Sequence, residues 1–143
     1  MQVGTVNRSK SEKVFISVKN VEGATMTVGL PIGYALGASN DGVKAVIANG
    51  SADMPGFLGV ATKDIPNNEY GQVQIAGWVA SILLSNAGTS ITINVGDPLV
   101  PGPSGFFSAA PTYANSGFKW LAAQNVPVAL SASAYASGLL RLL

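Results

Sequence analysis

The sequence predicts an all-β chain folded as one small β-sandwich or barrel. Short runs of β-branched and aromatic residues are separated by Gly, Pro, Asn and Asp, with no regular alternation of strands with helical patterns. Two hairpin-grade dipeptides, Asp41-Gly42 and Asn49-Gly50, tolerate the positive φ that tight turns need. Residues 72–84 alternate, with Val73, Ile75, Gly77 and Val79 on one face and Gln72, Gln74, Ala76 and Trp78 on the other. A chain of 143 residues buries roughly two-thirds of the surface its unfolded form exposes, so a single self-sufficient core is expected.

Residues 1–22 read as an N-terminal arm leading into a first strand, and residues 23–143 as the β-sandwich or barrel domain. The arm carries four of the eight cations, Arg8, Lys10, Lys13 and Lys19, before the alternation Val14, Ile16, Val18 sets in. Val14, Phe15, Ile16 and Val18 suit strand addition to a partner's sheet edge; a frayed terminus is the plainer reading. Residues 25–28 and 34–36 are brief strands around 29–33, where Pro31 lacks an N–H and favours an edge or a bend. Strands follow at 43–48 and 57–62, then a polar loop at 64–71 and the long central strand 72–84.

A turn at 86–90 leads to 91–95, where Ile91, Ile93 and Val95 alternate with Thr92 and Asn94. Gly96-Asp97 is a tight turn. The Pro- and Gly-rich passage 98–111 is expected to be an exposed loop, holding only irregular structure or short edge pieces. Residues 118–124 fit a helical turn or a strand alike. The chain ends in strands at 126–131 and 139–143 joined by 133–138, with a terminal amphipathic helix as the alternative, weakened by Gly138.

Charged residues make up 10% of the chain, against about 25% in an ordinary soluble domain. The exterior is therefore built from small polar and apolar residues or is covered by partners. A net charge of +1 argues against nucleic acid as a partner, because neutralising phosphates takes clustered Lys and Arg. The start is polar, and no apolar run approaches the roughly 18 residues of a membrane span, so neither an export signal nor a membrane partner is expected.

Histidine and cysteine are both absent, which removes the usual general base, the strongest side-chain nucleophile, disulfides and thiolate ligands. No catalytic residue, metal or cofactor is expected. Ser116 and Lys119 match an S-x-x-K spacing, but the companion S-D-N and K-T-G elements are missing. Asp41, Asp53, Asp64, Glu69 and Asp97 sit beside Gly, Pro or Asn, where carboxylates accept backbone N–H groups in turns. Trp78, Phe106, Phe107 and Trp120 are candidates for an interface, or for a sugar-binding groove.

Five pieces follow one another in the second part of the chain: Phe57-Leu-Gly-Val-Ala61, Tyr70-Gly-Gln-Val-Gln-Ile-Ala-Gly77, Ile93-Asn-Val-Gly-Asp-Pro-Leu99, Pro127-Val-Ala-Leu130 and Gly138-Leu-Leu-Arg-Leu-Leu143. In this order they resemble the capsid cement, or decoration, proteins of tailed bacteriophages. In that pattern Gly77 ends a paired strand, and Gly96-Asp97 sets the register for Leu99 to re-enter the core. The resemblance implies a virion structural protein, made in the host cytoplasm, that binds the outer capsid surface, bridges capsomers and stabilises the shell without catalysis. Its partners would be the major capsid protein and further copies of itself, as a homotrimer or alternatively a dimer. The competing reading is a receptor- or glycan-binding tail or fibre module using Trp78, Trp120 and residues 101–111.

Overall fold

Runs of β-formers between turn residues become eleven strands in the computed structural model, which describes residues 12–37, 40–49, 55–85, 91–93, 98–102, 105–108, 119–122, 126–128 and 134–141. In chain order they are β1 (Lys13–Asn20), β2 (Pro31–Tyr34), β3 (Lys44–Ile47), β4 (Phe57–Ala61), β5 (Tyr70–Leu84) and β6 (Ile91–Ile93). Then come β7 (Leu99–Gly102), β8 (Gly105–Ser108), β9 (Lys119–Ala122), β10 (Val126–Val128) and β11 (Ala134–Arg141).

The first five strands close on themselves. β1 pairs in parallel with β3, β3 with β2, β2 with β4, β4 with β5, and β5 returns to β1, the last four pairings antiparallel. Closure removes the open edges that a flat sheet would present. Inside sit Val18, Met26, Leu30, Ile32, Ala45, Leu58, Ala61, Ile65 and Val73, all buried. Each fully buried Ile or Met there stabilises the fold by about 1.5–3 kcal/mol through removal of apolar surface from water.

β5 has 15 residues and outruns the ring. Gly77 is the hand-over point, pairing with Lys13 of β1 and with Leu140 of β11. A residue in a ladder has two edges, so both neighbours meet here. Gly77 has φ 98°, and a Cβ at this position would fall on the Glu12 carbonyl oxygen; only glycine fits both demands. The β1 ladder thus ends at Gly77, while the strand itself continues.

Beyond it, β5 pairs with β11, which pairs with β9, and Leu84 pairs in parallel with Phe106 of β8. Between Ala136 and Gly138 the β5–β11 register slips. The bulge reverses which side of β5 faces inward: Val79 is buried and Ala80 exposed, and then Ile82 and Leu84 are buried. β6 and β10 form a separate two-stranded sheet.

Several expectations change. The brief strand at 25–28 is a single bridge, Met26 to Ile65, and Pro31 starts a strand that is paired on both sides, a position where its missing N–H is tolerated. Within 98–111 the described residues hold short strands, as expected, but not an exposed loop: β7 and β8 pair antiparallel, with Leu99 and Val100 buried. Residues 119–122 settle as a strand because β11 offers them an edge. The expected connector 133–138 is itself largely strand, since β11 begins at Ala134. Among the described residues, no helix is long and apolar enough to cross a membrane.

Candidate interaction surface

Alternation along β1 sends Ile16, Val18 and Asn20 toward the barrel interior and Lys13, Phe15, Ser17 and Lys19 to the outside. The antiparallel register sets Phe15 opposite Gln74, Ser17 opposite Gln72 and Lys19 opposite Tyr70. Lys19 Nζ lies 5.9 Å from the centroid of the Tyr70 ring, within cation–π range. Phe15 is 41% exposed and Tyr70 69%, so the strip presents aromatic surface to its surroundings.

The segment after β4 raises a wall beside this strip. Two cavities of about 350 and 310 Å³ lie along it and share Thr62, Lys63 and Gln72. The larger also takes in Lys13, Phe15, Val28, Gln74 and Val79. Sharing these residues, they make one trough lined by the apolar Phe15, Val28 and Val79, by the amide residues Gln72 and Gln74, and by Lys13 and Lys63.

Gln74 is 1% exposed, although its place in the alternation assigns it to the polar face. It sits between Phe15 on one neighbouring strand and Val60 on the other, next to the register slip between Val14 and Phe15. A bulge frees backbone carbonyls from the ladder, and Gln74 Nε2 donates to the carbonyls of Ala76 and Trp78, both at 3.0 Å. These two acceptors fix which end of the amide is which. Both bonds come from Nε2, and no hydrogen bond reaches Oε1 among the described residues.

Asn20, which the sequence reading passed over, is fully buried. Its Nδ2 donates to the Ala24 carbonyl at 2.8 Å and the Ile65 carbonyl at 2.7 Å, and its Oδ1 accepts the Glu22 N–H at 2.8 Å. Its backbone N–H donates to the Glu69 carbonyl, and its carbonyl accepts the Asn68 N–H. The residue ties the end of β1 to the 64–69 loop that walls the trough. Asp64 adds a further tie, its Oδ1 accepting the Val28 N–H at 2.9 Å.

The proposed contact residues of the arm lie within the barrel. Val14, Phe15, Ile16 and Val18 already pair with β5 along one edge. Val18 is buried and Ile16 packs on the core, so only Val14 and Phe15 present side chains outward. Trp78 is 38% exposed at the start of the β5 extension, opposite Leu139. Phe106 and Phe107 lie in β8, opposite Pro101 and Val100, and Trp120 lies in β9 opposite Leu140.

At the 41–42 turn, Asp41 Oδ1 accepts the N–H groups of Val43 and Lys44, each at 3.0 Å, and Gly42 takes φ 75°. The bond from Lys44, then that from Val43, holds the Asp41 carboxyl below its ordinary pKa. A surface ion pair with Lys44 at 3.5 Å adds little. Asn49 follows β3 on the surface, while Gly50, Gly96, Asp97 and Ser116 fall outside the described residues. No group of three or more His, Cys, Asp or Glu gathers as a metal site among the described residues.

No family model matches the chain, and no curated protein matches it in sequence. Its fold is similar to a solved structure, the head fiber gp8.5 N base in bacteriophage phi29. The TM-score is 0.55 at 16% identity, and the match covers 91% of this chain and 95% of that one.

Proposed function

We propose that this chain is a structural protein of a tailed-phage virion, one that attaches to the outer surface of the head and stabilises the shell. The observation that carries the reading is the shared fold: nearly the whole chain superposes on nearly the whole base of a phage head fiber. Composition supports it, because a domain with 10% charged residues and no His or Cys is poorly equipped for catalysis and well suited to contact surfaces that other subunits cover. The cement role goes further. Copies on neighbouring capsomers, assembled as a homotrimer, would convert modest contacts with the major capsid protein into lasting attachment, since the second contact forms at high effective concentration.

Mixing the purified protein with undecorated heads, expanded and unexpanded, and sedimenting them tests this. Saturable co-sedimentation with expanded heads alone supports a cement protein. Absence of binding to both overturns it. The name of the structural neighbour favours one second reading, a fibre module. On that reading the protein binds a cell-surface polysaccharide and leaves the capsid lattice bare except where a fibre is rooted.

A further inference from the structure

We infer that the trough between β1, β5 and the segment after β4 binds an acidic, extended peptide segment of a protein partner. It deepens the head-attachment reading and rests on it only for whose peptide this is. Four features of the trough converge on that ligand.

Charge is the first. In a chain so poor in ions, Lys13 and Lys63 line the trough and Lys19 stands over Tyr70, which lines its far part. Neither Lys13 nor Lys63 has an ion pair among the described residues. Asp64 is the carboxylate in the lining; it keeps its charge while its Oδ1 accepts the Val28 N–H, so the lining holds two ammonium groups against one carboxylate. With Lys19 beside it, the balance is positive and favours an anion.

Shape is the second. Lys13 and Lys19 are six residues apart on one strand, about 20 Å at the strand rise. Phe15 and Ser17 lie between them on the same side. That length matches about seven residues of extended chain, whose side chains recur on one face about every 7 Å.

Gln74 is the third. The residue is 1% exposed and belongs to the trough's lining, and its Oε1 has no hydrogen bond among the described residues. A buried acceptor left unmatched costs about 1–3 kcal/mol, so the site gains from an incoming donor. A peptide backbone supplies N–H groups between its carboxylates, which answers the amide acceptor and the ammonium groups of the lining together.

The fourth is what the chain's own amino-terminal segment cannot supply. Residues 1–11 contain Arg8 and Lys10 and no acidic residue, so they are not complementary to the trough.

The test uses the full chain and a fluorescein-labelled decapeptide of alternating glutamate and valine, followed by fluorescence anisotropy. Binding should weaken as salt rises, and Lys13→Glu with Lys63→Glu should weaken it about tenfold or more. Lys119→Glu, in β9, which pairs with β11 and not with β1 or β5, should leave it unchanged. A glutamine–valine peptide and a polygalacturonate oligomer should bind far less. The inference is overturned by no peptide binding up to about 1 mM, by an unaffected double variant, or by the saccharide binding as well as the peptide.

Head co-sedimentation run in parallel separates the two claims. If heads take the native chain but the peptide does not bind it, the site fails and head attachment stands. If the peptide needs the lysines but heads bind neither protein, the site stands and head attachment fails.

Discussion

Replacing Asn20 by Ala tests how the barrel is locked to the loop that walls the trough. The substitution removes three side-chain hydrogen bonds, of which the one to the Ile65 carbonyl is buried and those to Ala24 and Glu22 are partly so. The Ile65 carbonyl keeps the Met26 N–H, while water can reach the groups nearer the surface. An unsatisfied buried group costs about 1–3 kcal/mol, and a bond replaced by water about 1. The expected loss is about 3 kcal/mol, a large part of the total for a domain of this size, with Tm lower by about 10 °C.

Asn20→Asp sharpens the test. It keeps the acceptor for Glu22 N–H but turns a carboxylate toward two carbonyl oxygens. Burial and those oxygens raise the introduced carboxyl's folded-state pKa above the unfolded value of about 3.9. The folded state then binds more protons, so the variant's deficit should shrink as pH falls through the folded-state pKa. Urea unfolding followed by circular dichroism at about pH 7 and about pH 4.5 measures both. A cost below about 1 kcal/mol for Asn20→Ala, or an Asn20→Asp deficit that grows toward acid, would refute the reasoning.

A Cβ at residue 59 would fall on the Gln74 carbonyl oxygen, so Gly59→Ala should break the β4–β5 ladder and cost about 3 kcal/mol or more in the same unfolding assay. Gly77→Ala meets both the Glu12 carbonyl and an unfavourable φ, and should lower Tm at least as far as Asn20→Ala does. Asp41 accepts two N–H groups as a carboxylate with a lowered pKa. Its small contribution is therefore present above the unfolded-state pKa and lost as pH falls through the folded-state value, and Asp41→Asn should flatten that part of a Tm–pH curve. Light scattering after size-exclusion chromatography should show a trimer; a monodisperse monomer at high concentration counts against it. Truncation to residue 11 should leave the fold intact, whereas deleting residues 1–18 removes β1 and with it the barrel, so only the shorter deletion reports on an arm.

The strand content was legible because alternation and turn chemistry are local. Val73 to Val79 and the Asp41-Gly42 turn follow from periods and φ preferences that need no tertiary partner. Gln74 and Asn20 were illegible for the opposite reason. Their burial depends on neighbours that only the fold brings in, Phe15 and Val60 across the ladders for Gln74 and the 64–69 loop for Asn20, and polar residues in an alternating strand read as solvent-facing until such contacts exist. The exposure expected of 98–111 failed similarly at its described residues: Pro and Gly disfavour regular structure, but β5 offers Phe106 an edge at Leu84, and β7 and β8 pair beside it. Phe15 was singled out for the right strand. Its role as the apolar side of a trough follows only from the register that sets it opposite Gln74.

Antibody raised against the folded chain, applied to intact purified virions from the host that makes it and viewed by immunogold electron microscopy, tests the central claim most directly. Gold should ring the heads in many copies and leave tails bare. Virions that carry no label and contain no trace of the chain by mass spectrometry would contradict the account.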